Sequence, residues 1–506
     1  MNVAFVSPLR QVDAIHEPPR GGVQIGPALM ASLLFNKGWK VHFLDESVHN
    51  GGWQRRELCV RTLWPGQRGI HEEALNRTWG EVHEEKMYDF HKLSSTDFIK
   101  KYSAFREDGS VQRIIARIGI PEEETIEYLR RHHIEAVGIP LAASANYLAA
   151  TSLGARIKRE LPHVRVVMGG QHITADPVKF VRDNPWVDHV AEGDAITTIE
   201  AMMAGRLKDK IVPGGFQKME AYPVMNCDLL ADAGYSTPPT HNFPSGLKSI
   251  DWMASRGCYR HCEFCFAGRP EQKVTQSGWD KIRQQLDHFV ACGYQEIVLQ
   301  DDAILSRPKE FFIPLLGEMK QRGLSWSDNG GVEFESLSDE VTAAIMAYND
   351  GRPGKCFSLY VPFNPRQGNE KQSSAGSMTT KYENSKENLK KLRSAKVYVL
   401  TSIMVGTPDQ THETFAEDMA ASRKLIVDGY LDTALPLSAT MLPGTRWFER
   451  NGHNIVHPDD WAGYNLFSTH HNTNDMTARK IEEGMIRWVK ESSDVQTIEA
   501  WQCAFA

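Results

Sequence analysis

The chain has 506 residues, a formal net charge of −7 and 8 cysteines. That length exceeds one ordinary core and implies two or three domains. The slight acidic excess gives no concentrated basic face for nucleic acid, and no apolar run approaches the roughly 18 residues of a membrane span.

The opening stretch, MNVAFVSPLRQVDAIHEPP, is too briefly apolar for a signal peptide and has no basic leader. The expected location is therefore the cytoplasm, where thiols stay reduced. The first elements read as a strand over Asn2–Ser7, a Gly/Pro-rich loop over His16–Gly26, a helix over Pro27–Lys37 and a strand over Lys40–Leu44. A long stretch from Asn50 to about Arg131, with aromatics among many charges, reads as a helical, peripheral insertion. The α/β alternation resumes with a strand at Ala136–Pro140, a helix at Ala145–Leu161 and a strand at Val164–Met168. A helix at Pro177–Asp183 and a strand at Asp188–Ala191 complete it. Strands alternating with helices predict a parallel, doubly wound sheet that binds ligands at its carboxyl strand ends. The loops at those ends carry small residues, among them Ser144, Gly169, Gly170 and Gly193, which let a large flat ligand approach the backbone. There is no G-x-G-x-x-G, so a nicotinamide site is not indicated. A Pro/Gly-dense linker follows over residues 212–248.

The chemistry concentrates in Ser255-Arg-Gly-Cys258-Tyr-Arg-His-Cys262-Glu-Phe-Cys265. Three thiolates on one loop suit three irons of a cubane cluster whose fourth iron stays open. Zinc is the alternative, but it prefers four ligands as spaced pairs, and no second Cys-x-x-Cys exists. The remaining cysteines, Cys59, Cys227, Cys292, Cys356 and Cys503, are scattered and read as packing residues.

The spacing Cys-x-x-x-Cys-x-Phe264-Cys resembles the signature of the radical S-adenosylmethionine (SAM) superfamily. The resemblance implies a partial (β/α)6 barrel of the TIM type, with the cysteines after its first strand, Ser249–Ala254. Strands expected at Glu296–Gln300, Ser325–Glu333, Cys356–Val361 and Tyr398–Val405 continue it. On the same grounds Cys258, Cys262 and Cys265 are expected to hold a [4Fe-4S] cluster that binds SAM. Asp301 and Asp302, after Gln300, match the position of the family's glycine–glycine–glutamate turn but not its glycines; the resemblance implies that they hold the SAM amino group as the catalytic pair, the alternative being a cap for the helix at Pro308–Arg322. Gly406, in Val405-Gly-Thr-Pro, resembles a turn after the fifth strand, and Leu442-Pro-Gly-Thr445 one after the sixth. The run Tyr360-Val-Pro-Phe-Asn-Pro departs from the family pattern at the fourth strand.

A Rossmann-like domain directly before such a barrel resembles the cobalamin-dependent subfamily. This implies a cobalamin-binding domain over 1–211 (insertion at about 50–131), a linker over 212–248, the barrel over 249–448 and a C-terminal region over 449–506. Cobalamin would lie against Ser144, Gly169, Gly170 and Gly193. No Asp-x-His-x-x-Gly is present to ligate cobalt from below. The implied activity is methylation of an unactivated carbon, or phosphorus, of a small molecule. It would proceed through a 5′-deoxyadenosyl radical and methylcobalamin, with electrons from an external donor such as flavodoxin or ferredoxin. A cyclase or rearrangement enzyme would share these cofactors, and a non-enzymatic cobalamin- or zinc-binding interaction protein is a different class. A methylthiolating enzyme would need a second cysteine trio. His470-His471 reads as a structural pair more readily than as a general base.

Overall fold

The computed structural model describes the chain except residues 16–21, 67–69, 232–234, 236–244, 269–272, 352, 363–381 and 497–506. Most of the His16–Gly26 loop, the end of the Tyr360 run, Trp501 and Cys503 therefore lie outside the described residues. No helix among those described is long and apolar enough to cross a membrane.

The strands in chain order are β1 (Asn2–Ser7), β2 (Arg10–Asp13), β3 (Lys40–Asp45), β4 (Arg56–Leu63), β5 (His71–Ala74), β6 (Val111–Ile118), β7 (Ala136–Pro140), β8 (Arg165–Gly169), β9 (His189–Gly193) and β10 (Ile211–Gly215). Beyond them come β11 (Ser249–Trp252), β12 (Ser255–Arg256), β13 (Thr275–Gln276), β14 (Glu296–Leu299), β15 (Ser325–Asp328), β16 (Ser358–Tyr360), β17 (Tyr398–Val405) and β18 (Thr433–Ser438).

Six of these strands form the first sheet, in the order β10-β9-β8-β7-β1-β3, with every pair parallel. Helices cover both faces, so β1 is buried almost throughout. The strand order reverses at β1, which lies between β3 and β7, and the crevice outside the carboxyl ends there is the place for a ligand.

The barrel half consists of two parallel three-stranded sheets, β11-β14-β15 and β16-β17-β18, joined by a parallel bridge between Trp326 and Cys356. Helices Trp279–Ala291, Ile313–Gln321, Asp339–Asn349, Tyr382–Ser394 and His412–Val427 separate successive strands. Val3 and Phe5 of β1 and Ile250 and Trp252 of β11 share one apolar cluster, so the two halves are packed together through a common core.

The insertion departs from the all-helical expectation. β2, β6, β4 and β5 form an antiparallel sheet beside helices Trp79–Lys92 and Ser95–Tyr102. The segments Arg56-Glu-Leu-Cys-Val-Arg-Thr-Leu and Val-Gln-Arg-Ile-Ile-Ala-Arg-Ile are rich in β-branched residues, and their burial, more than their polarity, alternates in part at the period of a strand. Arg113 of β6 is buried against Asp460 (2.7 Å), Asp13 (3.4 Å) and the Ser468 hydroxyl (2.9 Å), tying the C-terminal region to the insertion. Glu482, on the last helix, Ala478–Glu491, likewise accepts from the Ser103 hydroxyl at 2.6 Å and the Ala104 amide at 3.0 Å.

Candidate active site

The cysteine loop leaves the carboxyl end of β11 and is gathered at its base by the β12–β13 ladder, where Ser255 opposes Gln276 and Arg256 opposes Thr275. Cys258, Cys262 and Cys265 are all half-buried. Burial, then nearby negative groups, raises the Cys258 and Cys262 thiols.

Asp301 is fully buried, and its carboxylate accepts from the Ser255 amide (2.5 Å), the Ser255 hydroxyl (2.6 Å) and the Ala254 amide (3.2 Å). Burial outweighs these donors and lifts its pKa to about 7. Asp302 instead accepts from the Gly257 amide at 2.7 Å and lines the main cavity. A second acidic pair faces the loop from the residues after β15: Glu335 pairs with Arg260, and burial raises Glu333.

That cavity measures about 810 Å³, within the range of small-molecule and cofactor sites. Its floor is backbone-rich, formed by Gly138, Ala142, Ala143, Gly169, Gly170 and Gly193 at the strand ends of the first sheet. Its other wall holds Met253, Arg256, Phe266, Ala267 and Asp302 from the cysteine-loop side. Arg256 joins the walls: it donates to Asp194 at 2.8 Å, bonds the Tyr222 hydroxyl and lies 4.6 Å over the Phe216 ring.

Residues 103–203 match the family model for a B12-binding domain. An uncharacterized methyltransferase of Pyrococcus horikoshii is 25% identical over 384 residues, covering 72% of this chain and 79% of the relative. The cobalamin-dependent radical SAM methyltransferase TokK of Streptomyces tokunonensis is 23% identical over 190 residues, 33% of this chain and 27% of that one. Among solved structures, the radical S-adenosylmethionine methyltransferase TsrM of Kitasatospora setae, with tryptophan substrate and a SAM analogue bound, aligns with a TM-score of 0.55 at 13% identity. It covers 99% of this chain and 88% of TsrM. The chain carries a B12-binding domain and is homologous to cobalamin-dependent radical SAM methyltransferases.

Within the B12-binding domain the expected residues divide. Gly169, Gly170 and Gly193 line the cavity, but two of them are also demanded by the backbone. Gly170 has φ +129°, and a Cβ there would sit 2.3 Å from the Leu141 carbonyl oxygen; at Gly193, with φ +84°, it would sit 2.7 Å from that of Gly215. Ser144 is buried and does not line this cavity; it is hydrogen-bonded to His172 Nδ1 at 2.8 Å. The 3-10 turn Ser144–Asn146 directs it away, and Ala142 and Ala143 take the place expected of it.

On the barrel side Asp302 lines the cavity, whereas Asp301 is buried outside its lining. Asp301 holds the strand that feeds the cysteine loop and is a positioning residue. Gln300 donates to Asp251 at 2.6 Å, and Asp251 in turn accepts from the Val23 amide at 2.9 Å, so Gln300 braces the joint between the halves. Phe264 packs 5.3 Å from Trp447, just beyond the Leu-Pro-Gly-Thr turn. Gly406 is buried, with its carbonyl accepting from His471 Nε2 at 2.7 Å. His470 and His471 are both buried, burial depresses both pKa values, and neither lines the cavity. Trp461 and Tyr464 stack on Tyr147 and His470 and not on the cavity.

Arg256, Tyr222, Phe216, Glu333 and Glu335 were missed from sequence. Each lies apart in the chain from its partners, and none stands in a spaced motif. Only the position of Arg256, two residues before Cys258, offered a signal.

Proposed function

We propose that the protein is a cobalamin-dependent radical SAM methyltransferase that methylates an unactivated carbon, or phosphorus, of a small molecule. One observation carries this reading: the glycine- and alanine-floored strand ends of the B12-binding domain and the cysteine loop wall a single cavity. The size of that cavity and the run of glycine and alanine on its floor suit a broad flat corrinoid face, and the three half-buried thiols suit a cluster. When bound, these cofactors supply radical generation from SAM and a transferable methyl group.

In this reading Cys258, Cys262 and Cys265 hold the cluster, and Ala142, Ala143, Gly169 and Gly170 support the corrinoid. Asp302 offers carboxylate acceptors at the wall of the cavity for an ammonium or hydroxyl group of SAM. Asp301 keeps the loop base in place through its bonds to Ala254 and Ser255. Arg256 fixes the separation of the two walls by its pairing with Asp194. Apolar neighbours such as Met253, Phe216 and Phe266 exclude water that would quench a radical. Residues 1–211 form the cobalamin domain, 212–248 the linker, 249–448 the barrel and 449–506 a closing region. Electrons come from an external flavodoxin or ferredoxin in a reducing cytoplasm.

The test follows both fates of SAM in the loaded, reduced enzyme with substrate. A methylase forms S-adenosylhomocysteine and 5′-deoxyadenosine in step with product, and a trideuteromethyl label arrives with all three deuteriums. Product accompanied by 5′-deoxyadenosine alone, and unlabelled, overturns the methylase in favour of cyclisation or rearrangement.

A further inference from the structure

We propose that Cys227, His288 and Cys292 form a second metal centre of the zinc type, separate from the cluster loop, with Asp228 beside Cys292. Sequence spacing gives no hint of it, because the two cysteines lie 65 positions apart and read as packing residues. In the fold, one ligand atom from each of Cys227, His288 and Cys292 lies within 4.8 Å of the other two.

The donors converge from two elements. His288 and Cys292 stand one turn apart at the carboxyl end of helix Trp279–Ala291 and share a face. Cys227 immediately precedes the short helix Asp228–Ala231, inside the linker. The Cys292 thiol lies 4.0 Å from His288 Nε2 and 3.8 Å from Asp228 Oδ1. Nε2 accepts from the Cys227 amide at 3.0 Å, so it is the unprotonated nitrogen beside the two thiols, and binding a metal exchanges that hydrogen bond for a metal bond. Two sulfurs and an imidazole are zinc donors, and a tetrahedral zinc with bonds of about 2 Å holds its donors roughly 3–4 Å apart, its fourth position open to water or to Asp228. Lys248, bonded to the Cys292 carbonyl at 2.8 Å, supplies a nearby cation for a centre carrying two thiolates with a carboxylate beside it.

Position gives the role. Lys248 directly precedes β11, and Cys292 lies between the first barrel helix and β14, so the group sits at the amino ends of the barrel strands. The cysteine trio follows the carboxyl end of β11, on the opposite side of the sheet's strand direction. Chemistry in such barrels belongs to the carboxyl ends, and features at the amino ends serve stability. The second centre is therefore structural: it clamps the linker onto the first barrel helix.

Metal analysis of the full-length protein after cluster reconstitution tests this. One zinc per chain is expected beside about four irons. Cys227→Ser with Cys292→Ser should lose the zinc, keep the irons and lower the melting temperature. Changing Cys258, Cys262 and Cys265 together to alanine should lose the irons and keep the zinc. Should the double serine variant fail to fold, cobalt(II) titration of the triple-alanine chain decides. A thiolate-to-cobalt charge-transfer band, weakened by His288→Gln, supports the centre. Absence of both zinc and that band, or a Cys227–Cys292 disulfide in anaerobically purified protein, overturns it.

Discussion

At the scale of single residues, two aspartates adjacent in sequence have opposite environments. Asp301 is buried with its pKa at about 7, above the ordinary value of 3.8, because burial disfavours its charge. A carboxyl raised on folding contributes stability that is fully present below its unfolded pKa and is lost as pH rises through its folded pKa. The Asp301 contribution therefore fades between about pH 4 and pH 7, by at most about 4 kcal/mol for a three-unit shift. Asp301→Asn cannot titrate. Denaturation across that window should show the stability of the wild type falling relative to the variant as pH rises; a difference that stays flat with pH would contradict it. Asp302→Ala, by contrast, should slow 5′-deoxyadenosine formation while leaving the iron content unchanged. On the corrinoid side, Ala142 is exposed in the cavity and avoids the backbone clash that any side chain at Gly170 would cause. Ala142→Trp should cut cobalamin retention, read from the visible spectrum after gel filtration, with little change in melting temperature. Gly170→Val should lower both.

Among the elements, the insertion and the C-terminal region act as one layer. Arg113 is buried between Asp13 and Asp460, and removing one member of a buried ion pair costs about 3–5 kcal/mol because the other charges stay behind. In a chain of this size the loss should appear locally rather than as one global transition. Arg113→Leu should speed amide hydrogen exchange over 455–471 and over β6, while β14 and β15 of the barrel stay protected. Uniform acceleration throughout the chain would show that the layer is not a separate unit. The strands of this layer were not legible in the sequence, because β4 and β6 do not alternate polar with apolar residues. Arg61 and Arg113 look solvent-facing in sequence, yet both are buried against acids.

For the whole molecule, the decisive feature is that two parallel sheets present their carboxyl ends to one cavity. Replacing Cys258, Cys262 and Cys265 together with alanine should abolish the iron–sulfur spectrum and 5′-deoxyadenosine formation but leave cobalamin retention largely intact, since the floor of the cavity belongs to the first sheet. Simultaneous loss of cobalamin would show that the cluster loop also holds the corrinoid.

The alternation of apolar runs and Gly/Pro breaks was enough to place β1, β7 and β17 at their observed bounds, because parallel strands buried on both faces read as short continuous apolar segments. The spacing of three cysteines was enough to single out the candidate cluster loop, because such a motif is local in the chain. Tertiary structure alone decided what depends on distant partners. It turned Ser144 from the cavity toward His172, made Asp301 a brace, paired Arg256 with Asp194 and brought Cys227 to Cys292. The physical reason is common to all four: hydrogen bonds, ion pairs and metal-ligand geometry act over a few ångströms in space, and sequence records such proximity only when the residues are also near along the chain.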